Sequence, residues 1–428
     1  MSRLSSVESR VLDLLDETVV IDSLVDLVRI PSVTGTAAES DAQHRQAAEL
    51  VRYGFDVDTW AIDLEALRAD PRFPGTEAER TEGYGVVATL AGDTGSGPPA
   101  LILQGHVDVV PTGDLAKWVD GDPFSGSVSH GILHGRGACD MKAGLAANMA
   151  VARTLHSSGI TLARSFAVHT VVSEEDGGLG AFATMLRGHT GDAAVITEAT
   201  SGRIVTANAG ALTFTLTVPG RAAHGSMRLE GVNALDAFLP IYRRLRELEA
   251  ERNTDPDPLF HGFSLPYPIS VGRVAAGDWA SSVPDLLVAE GRLGVALGEE
   301  PVAARAAFEA AVADVSSTDP WLRDNPAVVS WPGGQFASGR LRDDHPFIDE
   351  VATSITDLSG DPSPTRSAAP YGSDLRLYAG IGGIPSLHYG PGDVRFAHAP
   401  REQVDLAEVI RVTRALLLLA VRRCGGHF

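Results

Sequence analysis

ALILQGHVDVV, residues 100–110, is the part of the chain from which its architecture follows. The segment begins with a nearly unbroken apolar run, which is typical of a strand buried on both faces of a sheet. His106 and Asp108 come at the end of that strand, and their spacing directs both side chains to the same side of an extended backbone. Further apolar strands, such as residues 165–172, alternate with helical segments such as residues 143–157. This alternation predicts an α/β fold with a mixed, mainly parallel sheet flanked by helices.

The pattern changes near residue 204. From Leu212 to Val218 apolar and polar residues alternate, which is typical of an antiparallel strand with one solvated face. Residues 210–325 are therefore interpreted as a smaller α+β domain, after which the alternation of strands and helices returns. We expect a larger domain of residues 1–209 and 326–428, with the smaller domain inserted into it.

Composition and charge exclude several classes of protein. The chain has 428 residues, more than one compact core usually holds, and its net charge of −20 opposes binding to nucleic acids or anionic membranes. No apolar run reaches the length of a membrane span, and the first 16 residues lack the apolar core of an export signal. Two cysteines in so long a chain do not make a disulfide scaffold, so we expect a cytoplasmic protein.

Acidic and histidine side chains recur where predicted strands end or in glycine-rich turns. Taken singly they are ambiguous, because an HxD pair is often structural and adjacent glutamates are usually a solvated surface pair. Two histidines and three of the five carboxylates at such positions nevertheless suit two divalent cations about 3.5–4 Å apart that share one carboxylate. The positions are His106 with Asp108, Asp140 in GRGACDMKAG, Glu174 with Glu175 in VSEEDGG, Glu198 in TEAT, and His398 in GPGDVRFAHAP.

Taken together, these motifs resemble the M20 metallopeptidases and deacylases. That family includes acetylornithine deacetylase, succinyl-diaminopimelate desuccinylase, aminoacylases and the glutamate-releasing carboxypeptidase. The motifs run in the family's order from about residue 29 to residue 410, which is nearly the whole chain. They are GHVDVVPTG, GRGACDMKAG, VSEEDGG, TEAT, GRAAHGS with GVNA after it, and YGPGDVRFAHAP.

The resemblance implies a binuclear zinc site in the larger domain. His106 and Glu198 would bind one zinc, Glu175 and His398 would bind the other, and Asp140 would bridge both. A mixed set of imidazole and carboxylate ligands would also accept cobalt or manganese. The inserted domain would be ferredoxin-like and would serve as a dimerisation or lid domain.

The same resemblance implies the catalytic roles. Asp108 would orient His106 through the second ring nitrogen, and a cis peptide would join Asp140 to Met141. Glu174 would act as general base, taking a proton from the attacking water and returning it to the departing amine.

Substrate contacts are also implied by the resemblance. His224 would stabilise the oxyanion from the partner subunit of a homodimer, and Arg376 would grip a substrate carboxylate. Many relatives have asparagine before Val-Pro-Asp, whereas this chain has Ser282, which leaves the acyl or side-chain pocket open. Cys139 lacks a neighbouring histidine or asparagine that would make it a nucleophile.

We therefore expect an enzyme that hydrolyses the N-acyl amide bond of a small amino-acid-like substrate, as a deacetylase or desuccinylase does. The alternative is a dipeptidase or carboxypeptidase that uses the same metal centre on a peptide bond. A catalytically inactive relative acting as a binding protein would be expected to lack a ligand or the base. Here Glu174 and all the ligand positions are present.

Overall fold

The computed structural model describes residues 4–95, 97–360 and 364–428, so the first three residues of the N-terminal segment considered above lie outside it. The chain forms two compact units. The first comprises Met1–Thr206, Arg340–Ser367 and Asp374–Phe428. The second comprises Ala207–Gly339 and Ala368–Ser373.

Each α-helix buries at least one apolar side chain. They are α1 (Ser6–Asp13), α2 (Glu17–Val28), α3 (Ala37–Arg52), α4 (Leu64–Ala69), α5 (Ala143–Ser158), α6 (Leu179–Leu186), α7 (Ala234–Arg252), α8 (Pro301–Thr318), α9 (Pro346–Ser359) and α10 (Leu406–Arg423). Among the described helices, none combines the length and the apolar character that crossing a membrane requires.

The strands of the first half of the chain belong to the first unit up to Thr206, within β9. They are β1 (Asp56–Ala61), β2 (Tyr84–Leu90), β3 (Leu101–His106), β4 (Ser127–Ser129), β5 (Ile132–His134), β6 (Thr161–Leu162), β7 (Phe166–Val171), β8 (Ala194–Ile196) and β9 (Ile204–Asn208). The later strands are β10 (Gly210–Pro219), β11 (Ile269–Ala276), β12 (Leu286–Val295), β13 (Val328–Ser330), β14 (Gln335–Phe336), β15 (Gly339–Arg340), β16 (Arg366–Ala369), β17 (Ser386–His388), β18 (Gln403–Asp405) and β19 (Gly426–His427).

The main sheet of the first unit has the order β1-β2-β7-β3-β8-β17-β9-β15. Its centre is parallel, since β3 pairs in parallel with β7 and β8, and β17 pairs in parallel with β8. The β1–β2, β2–β7 and β17–β9 pairs are antiparallel. Every residue of β3 and β7 is buried, as their apolar sequences predict. The carboxyl ends of these parallel strands share one edge of the sheet, where ligands collect in α/β folds.

The second unit has the element order β10, α7, β11, β12, α8, β13, with the strands in the order β11-β12-β10-β13. This is the ferredoxin-like arrangement, and β10 and β12 are antiparallel. Burial alternates along β10, as its sequence predicts, and the aromatic rings of Phe214, Phe308 and Trp331 pack together in the core. The expected fold class, an α/β domain with a ferredoxin-like insertion, is confirmed.

The boundary between the units differs from the expected one after residue 325. Residues up to Gly339, together with Ala368–Ser373, belong to the second unit. The reason is that β13 and β14 both pair with β10, the strand that opens this unit. These strands are only three and two residues long, so their sequences carry too little alternation to mark them.

The N-terminal region also departs from its apolar spacing, which predicts one helix across residues 5–30. Two helices form instead, because the side chain of Asp16 caps the backbone N–H of Val19 and starts α2 anew. A capping box between Ser5 and Glu8 starts α1. The interruption lets both helices contact α5 and α10.

The core of the first unit makes folding stability dependent on pH. His169 of β7 is buried, its Nδ1 lies 2.8 Å from Oη of Tyr378, and burial lowers its pKa to about 3. The folded state therefore keeps His169 neutral, while the unfolded chain takes up a proton as the pH falls below the ordinary histidine pKa. Between that value and pH 3, this group removes about 1.4 kcal/mol of stability per pH unit.

We expect the free energy of unfolding of His169→Gln to fall less steeply between pH 6.5 and pH 5 than that of wild type. The difference in slope should correspond to about one proton fewer taken up on unfolding. Urea denaturation at several pH values would measure the two slopes. The matched control is His261→Gln, at an exposed histidine, which should retain the wild-type slope. Equal slopes for His169→Gln and wild type would contradict the assignment.

Candidate active site

His106 ends β3 with one ring nitrogen engaged and the other aimed at carboxylates. Nδ1 lies 2.9 Å from the backbone oxygen of Asp108, which can only accept, so Nδ1 carries the hydrogen in the neutral ring. Nε2 then presents its lone pair to Oδ1 of Asp140 at 3.4 Å and to Oε1 of Glu198 at 3.6 Å. Nε2 is buried and makes no hydrogen bond to any described residue. A lone pair that faces two anionic oxygens requires a proton or another cation between them.

Asp140 lies between two histidines. Its Oδ1 faces His106, while its Oδ2 lies 3.4 Å from Nε2 of His398. The residue sits in the glycine-rich turn that leads into α5, and the peptide bond between Asp140 and Met141 is cis, as the resemblance implied. One carboxylate thus presents one oxygen to each side of the centre, which is the geometry that a bridging ligand needs.

The turn after β7 carries the adjacent glutamates. The backbone N–H groups of Glu174 and Glu175 donate to Oδ1 and Oδ2 of Asp108, each at 3.2 Å. Ser173, just before them, has φ of 62°, a left-handed conformation that is uncommon for a residue with a side chain. This backbone sends the two side chains to different partners. Ligand atoms of Glu174 group with those of His106 and Glu198, whereas Glu175 groups with His106 and Asp140.

His398 completes the second half of the centre. Its Nε2 lies 3.0 Å from Oε2 of Glu175, and its backbone φ is 56°. Its side chain is 55% exposed, so this half of the centre is open to solvent. The charge of Glu175, with that of Asp140, raises the pKa of His398 to about 11. In the described structure each histidine therefore has one carboxylate of its own and shares Asp140 with the other.

The electrostatics of this cluster fit divalent cations. Burial raises the pKa of Glu174 and Glu198 well above the usual range of glutamates, and neighbouring carboxylates raise them further. Asp374 has its pKa raised to about 6 by burial. Buried carboxylates this close together repel one another, and cations bound between them would remove that repulsion. The donor set of imidazole nitrogens and carboxylate oxygens is one that zinc, cobalt and manganese all accept.

Glu402 supports Asp140 and was not anticipated from the sequence. Its Oε1 accepts the backbone N–H groups of Cys139 and Asp140, both at 3.2 Å, and its Oε2 pairs with Nη1 of Arg136 at 2.5 Å. The side chains of Arg136 and Glu402 are almost wholly buried. Nothing in the local pattern PREQ distinguishes Glu402 from a surface acid, since its partners lie more than 250 residues away. The Cys139 thiol is buried beside it with a pKa raised well above its usual range, so the sulfur stays protonated.

Arg376 is buried rather than on the surface. Its Nη2 donates to the carbonyl of Gly177 at 2.6 Å, directly after the turn that bears the glutamates. Burial lowers its pKa to about 10 against the attraction of Asp374 and Glu174. Asp374 in turn accepts a hydrogen bond of 2.9 Å from Nε2 of Gln104, which lies on β3. Arg376 is therefore buried beside the turn that carries Glu174.

His224 and Ser282 lie in the second unit. His224 is exposed, its Nδ1 lies 2.8 Å from Oγ of Ser226, and its backbone forms an isolated bridge with Ser282. The position at which the sequence departs from many relatives is therefore directly beside the expected oxyanion donor. The other expected site residues, His106, Asp108, Asp140, Glu174, Glu175, Glu198, Arg376 and His398, lie together in the first unit.

The chain is similar to known proteins over most of its length. The model of peptidase family M20/M25/M40 matches residues 102–422. The N-formyl-4-amino-5-aminomethyl-2-methylpyrimidine deformylase of Halalkalibacterium halodurans is 27% identical and covers 93% of this chain and 92% of its own. The acetylornithine deacetylase of Erwinia tasmaniensis is 26% identical, covering 94% of this chain and 96% of its own.

Solved structures extend the likeness to the fold. The di-peptidase Dug1p of Saccharomyces cerevisiae has a TM-score of 0.79 over 98% of each chain at 14% identity. The family match includes His106, Asp140, Glu174, Glu175, Glu198 and His398. The chain thus belongs to peptidase family M20/M25/M40, as the motifs indicated, and is a metal-dependent hydrolase of amide bonds.

Proposed function

We propose that the protein is a two-zinc amide hydrolase that removes the acyl group from the nitrogen of an amino-acid-like substrate. The observation that supports it most is the placement of Asp140 between His106 and His398, with each histidine facing a further carboxylate. His106, Glu198 and Asp140 would hold one cation, and His398, Glu175 and Asp140 the other. Bound divalent cations would supply Lewis acidity and an acidified water.

Glu174 is the proposed general base. It lies in the same cluster as the two cation sites, and it is buried, so a carboxyl group there can hold a proton away from solvent. In this role it takes a proton from the attacking water and passes it to the nitrogen of the departing amine. Asp108 holds Glu174 in place through the backbone N–H and orients His106.

The substrate is proposed to carry a carboxylate. The support is Arg376, a buried guanidinium beside the turn of Glu174, whose planar fork suits a carboxylate. Its hydrogen bond to the carbonyl of Gly177 holds the guanidinium beside that turn. The names of the similar proteins include both a deformylase and a deacetylase, so a formyl or an acetyl group is the first to test.

A homodimer is proposed through the second unit. β11 is the edge of its sheet and is largely exposed. Large apolar side chains are exposed on the same unit, with Leu229 84% and Trp279 73% accessible, and Leu235, Leu239 and Val274 also exposed. Unpaired edges and apolar surface of this kind are suited to burial against a second copy. In such a dimer His224 would serve the centre of the partner subunit, donating to the oxyanion.

The proposed compartment is the cytoplasm. Cys139 and Cys424 are both free and buried, and neither is used in a disulfide. Their buried thiols are what a reducing environment allows.

We expect Glu174→Gln to lower kcat on the preferred substrate by about 100–10,000-fold while both cations remain bound. The substitution keeps the size of the side chain and removes the proton acceptor. Hydrolysis of N-formyl, N-acetyl and N-succinyl amino acids and of dipeptides would be measured together with the metal content. Glu247→Gln, on the exposed face of α7, is the matched control and should retain activity.

Two results would count against the proposal. One is a wild-type protein without bound metal, and the other is a Glu174→Gln variant as active as wild type. Hydrolysis of dipeptides alone would keep the chemistry and replace the deacylase by a peptidase.

The trans role of His224 is testable by mixing inactive variants. In a mixed dimer of Glu174→Gln and His224→Ala subunits, one site would combine an intact Glu174 with an intact His224 from its partner. We expect unfolded and co-refolded subunits, mixed equally, to recover about a quarter of wild-type activity, because half the dimers are mixed and have one intact site of two. Activity no greater than that of the separate variants would place His224 in its own subunit's site. A monomer by analytical ultracentrifugation would remove the dimer altogether.

A further inference from the structure

The turn that carries Glu174 and Glu175 is held by carboxylates through three consecutive backbone N–H groups. Ser173 donates to Oε1 of Glu39 at 3.1 Å, and the next two N–H groups donate to Asp108. Because Ser173 has φ of 62°, its N–H and the two that follow converge on these anions. The position of the two glutamates therefore depends on Glu39 as well as on Asp108.

Asp176 holds the other end of the same turn. Its Oδ1 accepts the hydroxyl of Ser173, and its Oδ2 accepts the backbone N–H groups of Glu77 and Ala78 at 3.1 and 2.9 Å. Glu39 is anchored in α3, where its Oε2 also accepts the N–H of Gly35 at 2.6 Å. The turn is thus clamped between α3 and the segment before β2.

Arg80 lies between these two buried carboxylates. Its Nη1 is 3.2 Å from Oε2 of Glu39 and its Nη2 is 3.5 Å from Oδ1 of Asp176, with only 1% of its side chain exposed. None of its guanidinium nitrogens makes a hydrogen bond to a described residue, so its interaction with the pair is one of charge. A buried cation between two buried anions offsets the repulsion between them and the cost of removing them from water.

We propose that Arg80 is a positioning residue for the hydrolysis, acting by its charge on Glu39 and Asp176 to hold the turn that carries Glu174 and Glu175. The proposal rests on the proposed function, since it assigns a task to the general base and to a metal ligand. Without the cation, Glu39 and Asp176 repel each other and Asp108 across the turn. Glu174 then loses its position relative to substrate, and Glu175 loses its position relative to His398.

Charge-restoring variants separate this role from simple packing. Arg80→Met keeps the volume and removes the charge. Asp176→Asn keeps an oxygen for the N–H groups of Glu77 and Ala78, and its amide can donate to the hydroxyl of Ser173. The double variant Arg80→Met/Asp176→Asn has the same net charge in the cluster of residues 39, 80 and 176 as wild type. Arg252→Met is the matched control, since Arg252 is also a largely buried arginine paired with a glutamate, in the second unit.

The measurements are Co²⁺ titration of the metal-free protein, followed by visible absorption, together with kcat and KM of the loaded enzyme. We expect Arg80→Met to lose about 10–100-fold in the affinity of the weaker Co²⁺ site and in kcat, with an altered absorption band. KM should change by less than about threefold, because Arg80 pairs with Glu39 and Asp176 rather than with Arg376, the residue proposed to bind substrate. The double variant should regain most of both losses, and Arg252→Met should match wild type in affinity, spectrum and kcat.

Other results would overturn the proposal. If Arg80→Met lowers only the melting temperature and keeps the Co²⁺ affinity and spectrum, Arg80 is merely structural. If the double variant is no better than Arg80→Met, charge is not the cause. If Arg80→Met does not fold, Arg80→Lys is measured instead, because it keeps the charge. The proposal then requires that Arg80→Lys retain the wild-type Co²⁺ spectrum. A wild-type protein that binds no Co²⁺ would instead defeat the proposed function, and the positioning role with it.

Discussion

The rest of the site depends on the hydrogen bonds that the carboxylate of Asp108 accepts. It is fully buried, and its two oxygens accept the backbone N–H groups of Glu174 and Glu175. The same residue holds Nδ1 of His106 through its backbone oxygen, so that Nε2 faces the cluster. One side chain thereby joins the end of β3 to the turn after β7. A change of a few tenths of an ångström there would move a histidine and two glutamates against each other, which metal geometry does not tolerate.

Around this contact, the first unit holds residues in conformations that lower its folding stability but fix the positions of the site residues. Ser173 and His398 have left-handed backbones, and such conformations cost on the order of 1–3 kcal/mol each. The pair of Arg136 and Glu402 is almost wholly buried, and buried ion pairs of this kind add little net stability. The surrounding core offsets these costs, since β3 and β7 are buried along their whole length. We therefore expect the residues that position the proposed metal ligands to contribute little to the free energy of unfolding, or to lower it.

The sequence predicted buried strands such as β3 and β7, the helix that becomes α5 and the positions of the candidate site, because each has a local signature. Apolar runs identify β3 and β7, and acidic residues at their ends identify the site. α3 has no such signature, because its buried face carries Glu39, Ser40, Gln43 and Gln46 and so resembles a solvated one. Arg80 and Glu402 are hidden for the same reason, since a buried charge is recognisable only by a partner far along the chain. The second unit extends to Gly339 rather than to residue 325, because β13 and β14 pair with β10 but are too short to show alternation in the sequence.

The division between the units explains why metal chemistry is easier to infer than substrate. His106, Asp140, Glu174, Glu175, Glu198 and His398, with the pairs that hold them, all belong to the first unit. His224 and Ser282 belong to the second, where they form a backbone bridge to each other. The proposed metal ligands and the proposed oxyanion donor thus belong to different units. The proteins similar to this chain include a deformylase, a deacetylase and a dipeptidase, so one fold carries several activities. If His224 donates to the oxyanion as proposed, Ser282 beside it would be a better guide to the acyl group than any of the proposed metal ligands.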